Sequence, residues 1–404
     1  MLSTHRSTAF PNPFTLLPNQ SREIYVPNVP AAQLPTGRYS VVISSTEKIV
    51  AIASVAGTGT RRFSGSYSGF ESGASPVYLP AVYYNYFGWY SMISVQNLGA
   101  SPTDLADITV TITCSNGTVG TLTANDVPQH ASATFALKNT IPSGFSLSTV
   151  CNGSAAVTAN QPVAVTDNQS KPAVGNTQSY GGLASGNSKI YVPTLFFNYF
   201  GWYSSLGIRK LGSGTTTVTV TYSDSGSSQC VLTNAEPSCL LLYVATSTAH
   251  PGSGTFGATI TSSPAMQLVA VANTTKGTLS ASYTGIGDGE STDKVAIPSV
   301  FKYYFGWISS FTCQNVSPAG STQLRITYDG ESPYTHSTVL GPGAQVEVKV
   351  FEESILPATG YIGGVVVEST NTSVDISCTV GHNNPSKLST IPGDWAQRYN
   401  AFSK

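Results

Sequence analysis

The stretch VYLPAVYYNYFGWYS at residues 77–91 occurs three times in this chain. It returns as IYVPTLFFNYFGWYS at 190–204 and as VAIPSVFKYYFGWIS at 295–309. The tryptophans Trp89, Trp202 and Trp307 are thereby 113 and 105 residues apart. Each block runs into a strand-like stretch that ends in a polar turn: ISVQNLG at 93–99, LGIRKLG at 206–212 and FTCQNVS at 311–317. Threonine–valine alternation follows, as ITVTITC at 108–114 and TTVTVTY at 216–222, with a looser LRITYDG at 324–330. Alternation of period two is the pattern of a half-buried strand.

A second block closes each unit. It reads SYSGF at 66–70, SYGGL at 179–183, SYTGI at 282–286 and RYNAF at 398–402. There are four closers and three aromatic blocks. The mismatch resolves at IYVPNVP (24–30), a fourth opener without the Gly-Trp turn. From opener to closer the units span 47, 107, 97 and 108 residues. The first is a half-repeat that lacks the whole middle. Units of roughly 100 residues, built of short alternating strands, predict an all-β fold of tandem immunoglobulin-like β-sandwich domains. Successive sandwiches are expected to stack as a rod. The expected segments are an extended leader (1–23), the half-repeat (24–76) and sandwiches at 77–189, 190–294 and 295–404.

Composition agrees with strands and turns. Only 10% of the 404 residues are charged, and the net charge is −1. The chain holds 54 Ser and 47 Thr, with 38 Gly and 21 Tyr. Such a chain has no electrostatic footprint for nucleic acid. No run of 18 apolar residues is present, so no membrane-spanning helix is expected. The N-terminal stretch lacks the apolar centre of a signal peptide.

Openers of the aromatic-x-Pro type, a Gly-Trp turn followed by a Val-Gln-Asn strand, and a closing Ser-Tyr-x-Gly make residues 24–402 similar to tandem β-sandwich repeats in secreted bacterial surface proteins. The first repeat departs by lacking the Gly-Trp turn, and the last by closing on RYNAF. The resemblance implies an extracellular, cell-surface location and carries no catalytic residues with it.

The cysteines fall two to each full repeat: Cys114 and Cys151, Cys230 and Cys239, Cys313 and Cys378. An even count per repeat favours three disulfides and an oxidising compartment. No motif for catalysis, metal or cofactor stands out, and no cofactor is expected. GSGTFG at 252–257 has dinucleotide-loop spacing but runs on into a strand rather than a helix. Asp288, Glu290 and Asp293 read as a turn rather than a calcium loop. Asn-x-Ser/Thr sites number no more than chance gives, and O-linked sugar on the many hydroxyls stays open.

The aromatic blocks crowd too many rings for one core. Tyr86 with Trp89, Tyr199 with Trp202 and Tyr304 with Trp307 are the candidates for domain junctions, a subunit interface or sugar stacking. A half-sandwich leaves strands unpartnered. The reading that follows is a non-enzymatic subunit of an extracellular bacterial fibre, assembling with copies of itself head-to-tail. The leader (Phe10, Phe14, Leu16, Leu17) and the opener (Ile24, Tyr25) are the candidate assembly residues. The half-repeat, or the last domain near Trp395 and Tyr399, is the candidate acceptor. The alternative is a cell-surface adhesin that binds carbohydrate.

Overall fold

In a computed structural model of the chain, residues 13–26, 29, 34, 37, 39–57, 64–241, 252–385 and 396–404 are described. Phe10 and Trp395 lie outside them. The described residues are dominated by β-strands, with a short 3-10 turn at Val350–Glu352.

The half-repeat contributes a hairpin, β1 (Ile52–Ala56) and β2 (Ser64–Ser68). The first full repeat runs β3 (Val77–Tyr84), β4 (Tyr90–Asn97), β5 (Ala106–Cys114), β6 (Val119–Val127), β7 (Ser132–Ala136), β8 (Cys151–Ala159), β9 (Val163–Lys171) and β10 (Asn176–Gly181). The second runs β11 (Lys189–Phe197), β12 (Tyr203–Lys210), β13 (Thr216–Tyr222), β14 (Ser227–Leu232), β15 (Ser238–Leu241), β16 (Gly254–Ser263), β17 (Leu268–Lys276), β18 (Leu279–Thr284) and β19 (Ile286–Gly287). The third runs β20 (Lys294–Tyr304), β21 (Trp307–Asn315), β22 (Leu324–Tyr328), β23 (Tyr334–Thr335), β24 (Gln345–Lys349), β25 (Tyr361–Ser369), β26 (Ile376–Asn383), β27 (Ala396–Asn400) and β28 (Phe402–Ser403).

The first repeat forms two four-stranded sheets, ordered β3-β8-β5-β6 and β10-β9-β4-β7. The second repeats both orders, as β11-β16-β13-β14 and β18-β17-β12-β15, with β19 added beside β11. The third does so again, its two sheets joined through the β20–β21 hairpin. Alternation decides the faces. In β5, Ala106, Ile108, Val110, Ile112 and Cys114 are buried while the intervening residues face outward. Each sandwich has its own apolar core between its sheets. The topology differs from the seven-strand immunoglobulin arrangement. There the first two strands share a sheet, whereas here β3 and β4 lie in opposite sheets.

The repeats do not extend as the expected rod. The closing strands meet one another in a cycle: β2 against β10, β10 against β18, β18 against β27, and β27 back against β2. Side chains at one equivalent position record the closure. Ser280 Oγ donates to the Thr177 carbonyl, Thr177 Oγ1 to the Ser64 carbonyl and Ser64 Oγ to the Ala396 carbonyl, each at 2.8 Å. Like positions touch like positions, so the four strands run the same way around one axis. The half-repeat fills the fourth place and joins the last repeat to the first. A rod was expected because sequence order alone sets no angle between domains. The small hydroxyls of the closers permit the close lateral approach that makes a ring.

Candidate functional site

The Tyr-Phe-Gly-Trp block is a two-residue hairpin in every full repeat. Its middle residues have positive φ: 48° and 80° at Phe87 and Gly88, 50° and 81° at Phe200 and Gly201, and 48° and 82° at Phe305 and Gly306. A tight hairpin with right-handed strand twist requires this geometry, and glycine meets it without steric cost. Behind the turn the rings stack. Tyr83 lies against Tyr86 at 5.7 Å, Phe196 against Tyr199 at 5.7 Å and Phe301 against Tyr304 at 5.9 Å. Each tryptophan tilts onto the first ring of its trio. Trp89 packs on the core of its own repeat. Trp202 and Trp307 pack on Leu279, Ala281 and Ala396. These three residues belong to closing strands of the second and third repeats, so the two tryptophans serve the junctions. The tip rings Phe87, Phe200 and Phe305 are exposed.

The closing tyrosines explain the rest of the repeated motif. Proline interrupts each opening strand, and the pairing register shifts between Leu79 and Val82, Val192 and Leu195, and Ile297 and Val300. The carbonyl at each shift receives a tyrosine hydroxyl: Ala81 from Tyr180, Thr194 from Tyr283 and Ser299 from Tyr399.

The six cysteines form the three disulfides expected, Cys114–Cys151, Cys230–Cys239 and Cys313–Cys378. No helix among the described residues is long and apolar enough to cross a membrane. Asp288 accepts from the Tyr191 hydroxyl, and Glu290 accepts from the Gly287 amide and from Asn187, so these acids pin a turn.

The described part of the leader docks on the third repeat of its own chain. Asn19 accepts from Lys404, the Ser21 amide donates to Asp329, and Tyr304 donates to Glu23. Ring closure brings that repeat to the N-terminal side of the molecule. Arg22 lies 4.1 Å over the Phe14 ring. Leu16, Leu17, Ile24 and Tyr25 are exposed.

A run of exposed apolar side chains lies in the half-repeat itself. Register places Ala53 opposite Tyr67, as Asp167 lies opposite Tyr180, Ala272 opposite Tyr283 and Val380 opposite Tyr399. Ile49 is therefore equivalent to Val163, Leu268 and Ile376, which are 0–1% exposed; Ile49 is 39% exposed. Continuing back along the sequence, SVVISS at 40–45 matches SAAVTA at 154–159 and GATITS at 257–262. Val41 is 69% and Ile43 50% exposed, whereas Ala155, Val157, Ala258 and Ile260 are at most 1% exposed. The half-repeat keeps core-type side chains and lacks the counterparts of β4 to β7 that would cover them. The lengths of the repeats announced the missing middle; the exposed face it leaves needed the register.

Compared with protein-family models, with curated proteins and with solved structures, the chain matches none.

Proposed function

We propose that this chain is the repeating subunit of an extracellular filament, in which each copy covers the half-repeat of the next. The observation that carries this reading is the exposed row Val41, Ile43 and Ile49. Monomeric soluble proteins rarely leave contiguous core-type side chains in water. A second copy is the natural cover. Residues 40–45 form no strand in the single copy although the matching stretches of the first two full repeats do, so the segment is free to pair with a strand from outside. The contact joins unlike surfaces, so it is head-to-tail and propagates without having to close. A net charge of −1 opposes association little. Three disulfides suit an oxidising, extracellular compartment. The role is structural rather than enzymatic, and glycans on the Ser/Thr-rich surface are compatible with it.

The test is sedimentation and negative-stain microscopy of the full chain beside the double variant Val41→Lys/Ile43→Lys. The wild type forms concentration-dependent filaments. The variant stays monomeric with an unchanged melting temperature, because both side chains are exposed in the single copy. Monodisperse wild type at high concentration overturns the filament. Unchanged filaments from the variant overturn this surface as the contact.

The cell-surface adhesin remains a second reading for one reason. The tips Phe87, Phe200 and Phe305 sit beside the starts of the closing strands: Gly88 lies against Lys171 and Gly201 against Lys276, just before β10 and β18. We take the cyclic arrangement of those strands to gather the tips toward one end of the ring.

A further inference from the structure

The junction between the second and third repeats departs from its counterpart between the first and second. In the earlier junction, Ser282 donates to Asn273 at 2.7 Å, and Asn273 donates to the Tyr83 hydroxyl at 3.0 Å. The three side chains close the space between the repeats. Strand register identifies their equivalents at the later junction. Phe196 replaces Tyr83, Gly381 replaces Asn273 and Arg398 replaces Ser282. A hydroxyl and an amide side chain are gone, and a cleft of about 310 Å³ stands at this junction.

The cleft holds both signs of charge, Arg398 and Lys349 with the Glu347 carboxylate. The Arg398 guanidinium lies 4.7 Å above the Phe196 ring and against Gly381. No acceptor among the described residues hydrogen-bonds it, and burial lowers its pKa. His382 lines the same cleft and is 2% exposed. The Phe301 amide donates to Ser309 Oγ at 2.7 Å, and that hydroxyl pairs with His382 Nδ1, also at 2.7 Å. With the serine as donor the neutral imidazole carries its proton on Nε2, and that buried nitrogen has no partner. Polar groups in such sites are normally satisfied, so the unpartnered guanidinium calls for an acceptor. At the rim, Glu347 is held by the Tyr199 hydroxyl at 3.3 Å, and Lys349 adds a second cation. Trp202 and the exposed Phe200 supply an aromatic wall.

We propose that this cleft binds the carboxylate of an acidic sugar, with the ring against Phe200 and Trp202 and the carboxylate on Arg398. Guanidinium matches a carboxylate in shape and charge. Aromatic faces suit the apolar face of a pyranose, and the volume fits one residue of it. The site is independent of the assembly surface on the half-repeat.

The probe is glucuronate, titrated into the full chain by calorimetry and followed by saturation-transfer NMR, with glucose and acetate as controls. Glucuronate binds saturably, and each control binds at least tenfold more weakly. The triple variant Phe196→Tyr/Gly381→Asn/Arg398→Ser rebuilds the closed junction found one repeat earlier, so it folds and loses binding. Phe200→Ala, at an exposed site, weakens glucuronate and leaves acetate unchanged. No saturable glucuronate binding overturns the site, as does wild-type affinity in the triple variant. Equal binding of acetate and glucuronate overturns the sugar.

Discussion

The Tyr180 hydroxyl donates to the main-chain carbonyl of Ala81 across 2.5 Å, from the last strand of its repeat to the first. Ala81 follows the opening proline, where pairing between β3 and β8 slips. Both residues are buried, at 1% exposure. Gln169 Nε2 donates to the same carbonyl at 2.6 Å, so two side chains satisfy an acceptor that the sheet itself leaves over. Tyr180→Phe removes one of these two donors and costs about 1 kcal/mol. Tyr283→Phe acts alike in the second repeat, through Thr194. Scanning calorimetry reads the loss as a lowered first transition. An unchanged transition in both variants would show that water replaces the hydroxyl.

Two buried titrating groups oppose each other in acid. Asp167 accepts from Ser91 at 2.8 Å and from Gln169 at 2.9 Å, while its second oxygen has no partner. Burial pushes its pKa from 3.8 up to about 7. The folded state then holds the proton more tightly than the unfolded state. This contribution is fully present below pH 3.8 and is lost as pH rises through about 7. Burial, with Arg398 nearby, lowers His382 from 6.5 to about 3. Its contribution is present above pH 6.5 and is lost as pH falls toward 3. Each is worth on the order of a few kcal/mol. Between these limits they offset, so the wild type has a shallow stability profile. Asp167→Asn leaves stability falling with acid, and His382→Gln leaves it rising. Urea denaturation across that range measures both slopes, and parallel profiles for all three proteins would refute the assignment.

The sandwiches were legible because their signals are local. Alternation in ITVTITC, proline in each opener and the Gly-Trp turn act within a few residues. The paired cysteines were equally plain, since two per repeat leave little choice. The ring was not legible. It rests on contacts between Ser64, Thr177, Ser280 and Ala396, which are up to 332 residues apart. Small hydroxyls in a closing strand read equally well as a solvated edge. RYNAF was visibly irregular as a closer. That its arginine takes the place of Ser282, beside a glycine in place of Asn273, required the strand register.

The three disulfides differ in access. Cys114–Cys151 and Cys313–Cys378 each join paired strands of one sheet, and all four residues are 0–1% exposed. Cys230–Cys239 instead joins β14 to β15, which lie in opposite sheets, and both of its residues are partly exposed. A thiolate must reach a sulfur to exchange with it. Mild reductant under native conditions is thus expected to open Cys230–Cys239 first. Alkylation and peptide mass mapping then find label at these two positions alone. Label appearing at all six together would mean that opening requires global unfolding.

Three of the four equivalent positions in the ring of closing strands carry a hydroxyl. Three hydroxyls donate around the cycle, from Ser280 to Thr177, from Thr177 to Ser64 and from Ser64 to Ala396. The fourth position is Ala396, which has no hydroxyl to offer the Ser280 carbonyl. Ala396→Ser supplies it with the addition of one oxygen atom. The site is buried, at 3% exposure, between strands whose other contacts follow the same pattern. A hydrogen bond gained there stabilises by about 1 kcal/mol. Ser64→Ala removes one existing link and costs a similar amount. The two changes measured together separate the bond from simple packing. If the links are energetically alike, Ala396→Ser restores most of what Ser64→Ala loses, and both shifts appear in the melting of the last repeat. A destabilising Ala396→Ser would mean that the fourth junction is wider or tighter than the other three.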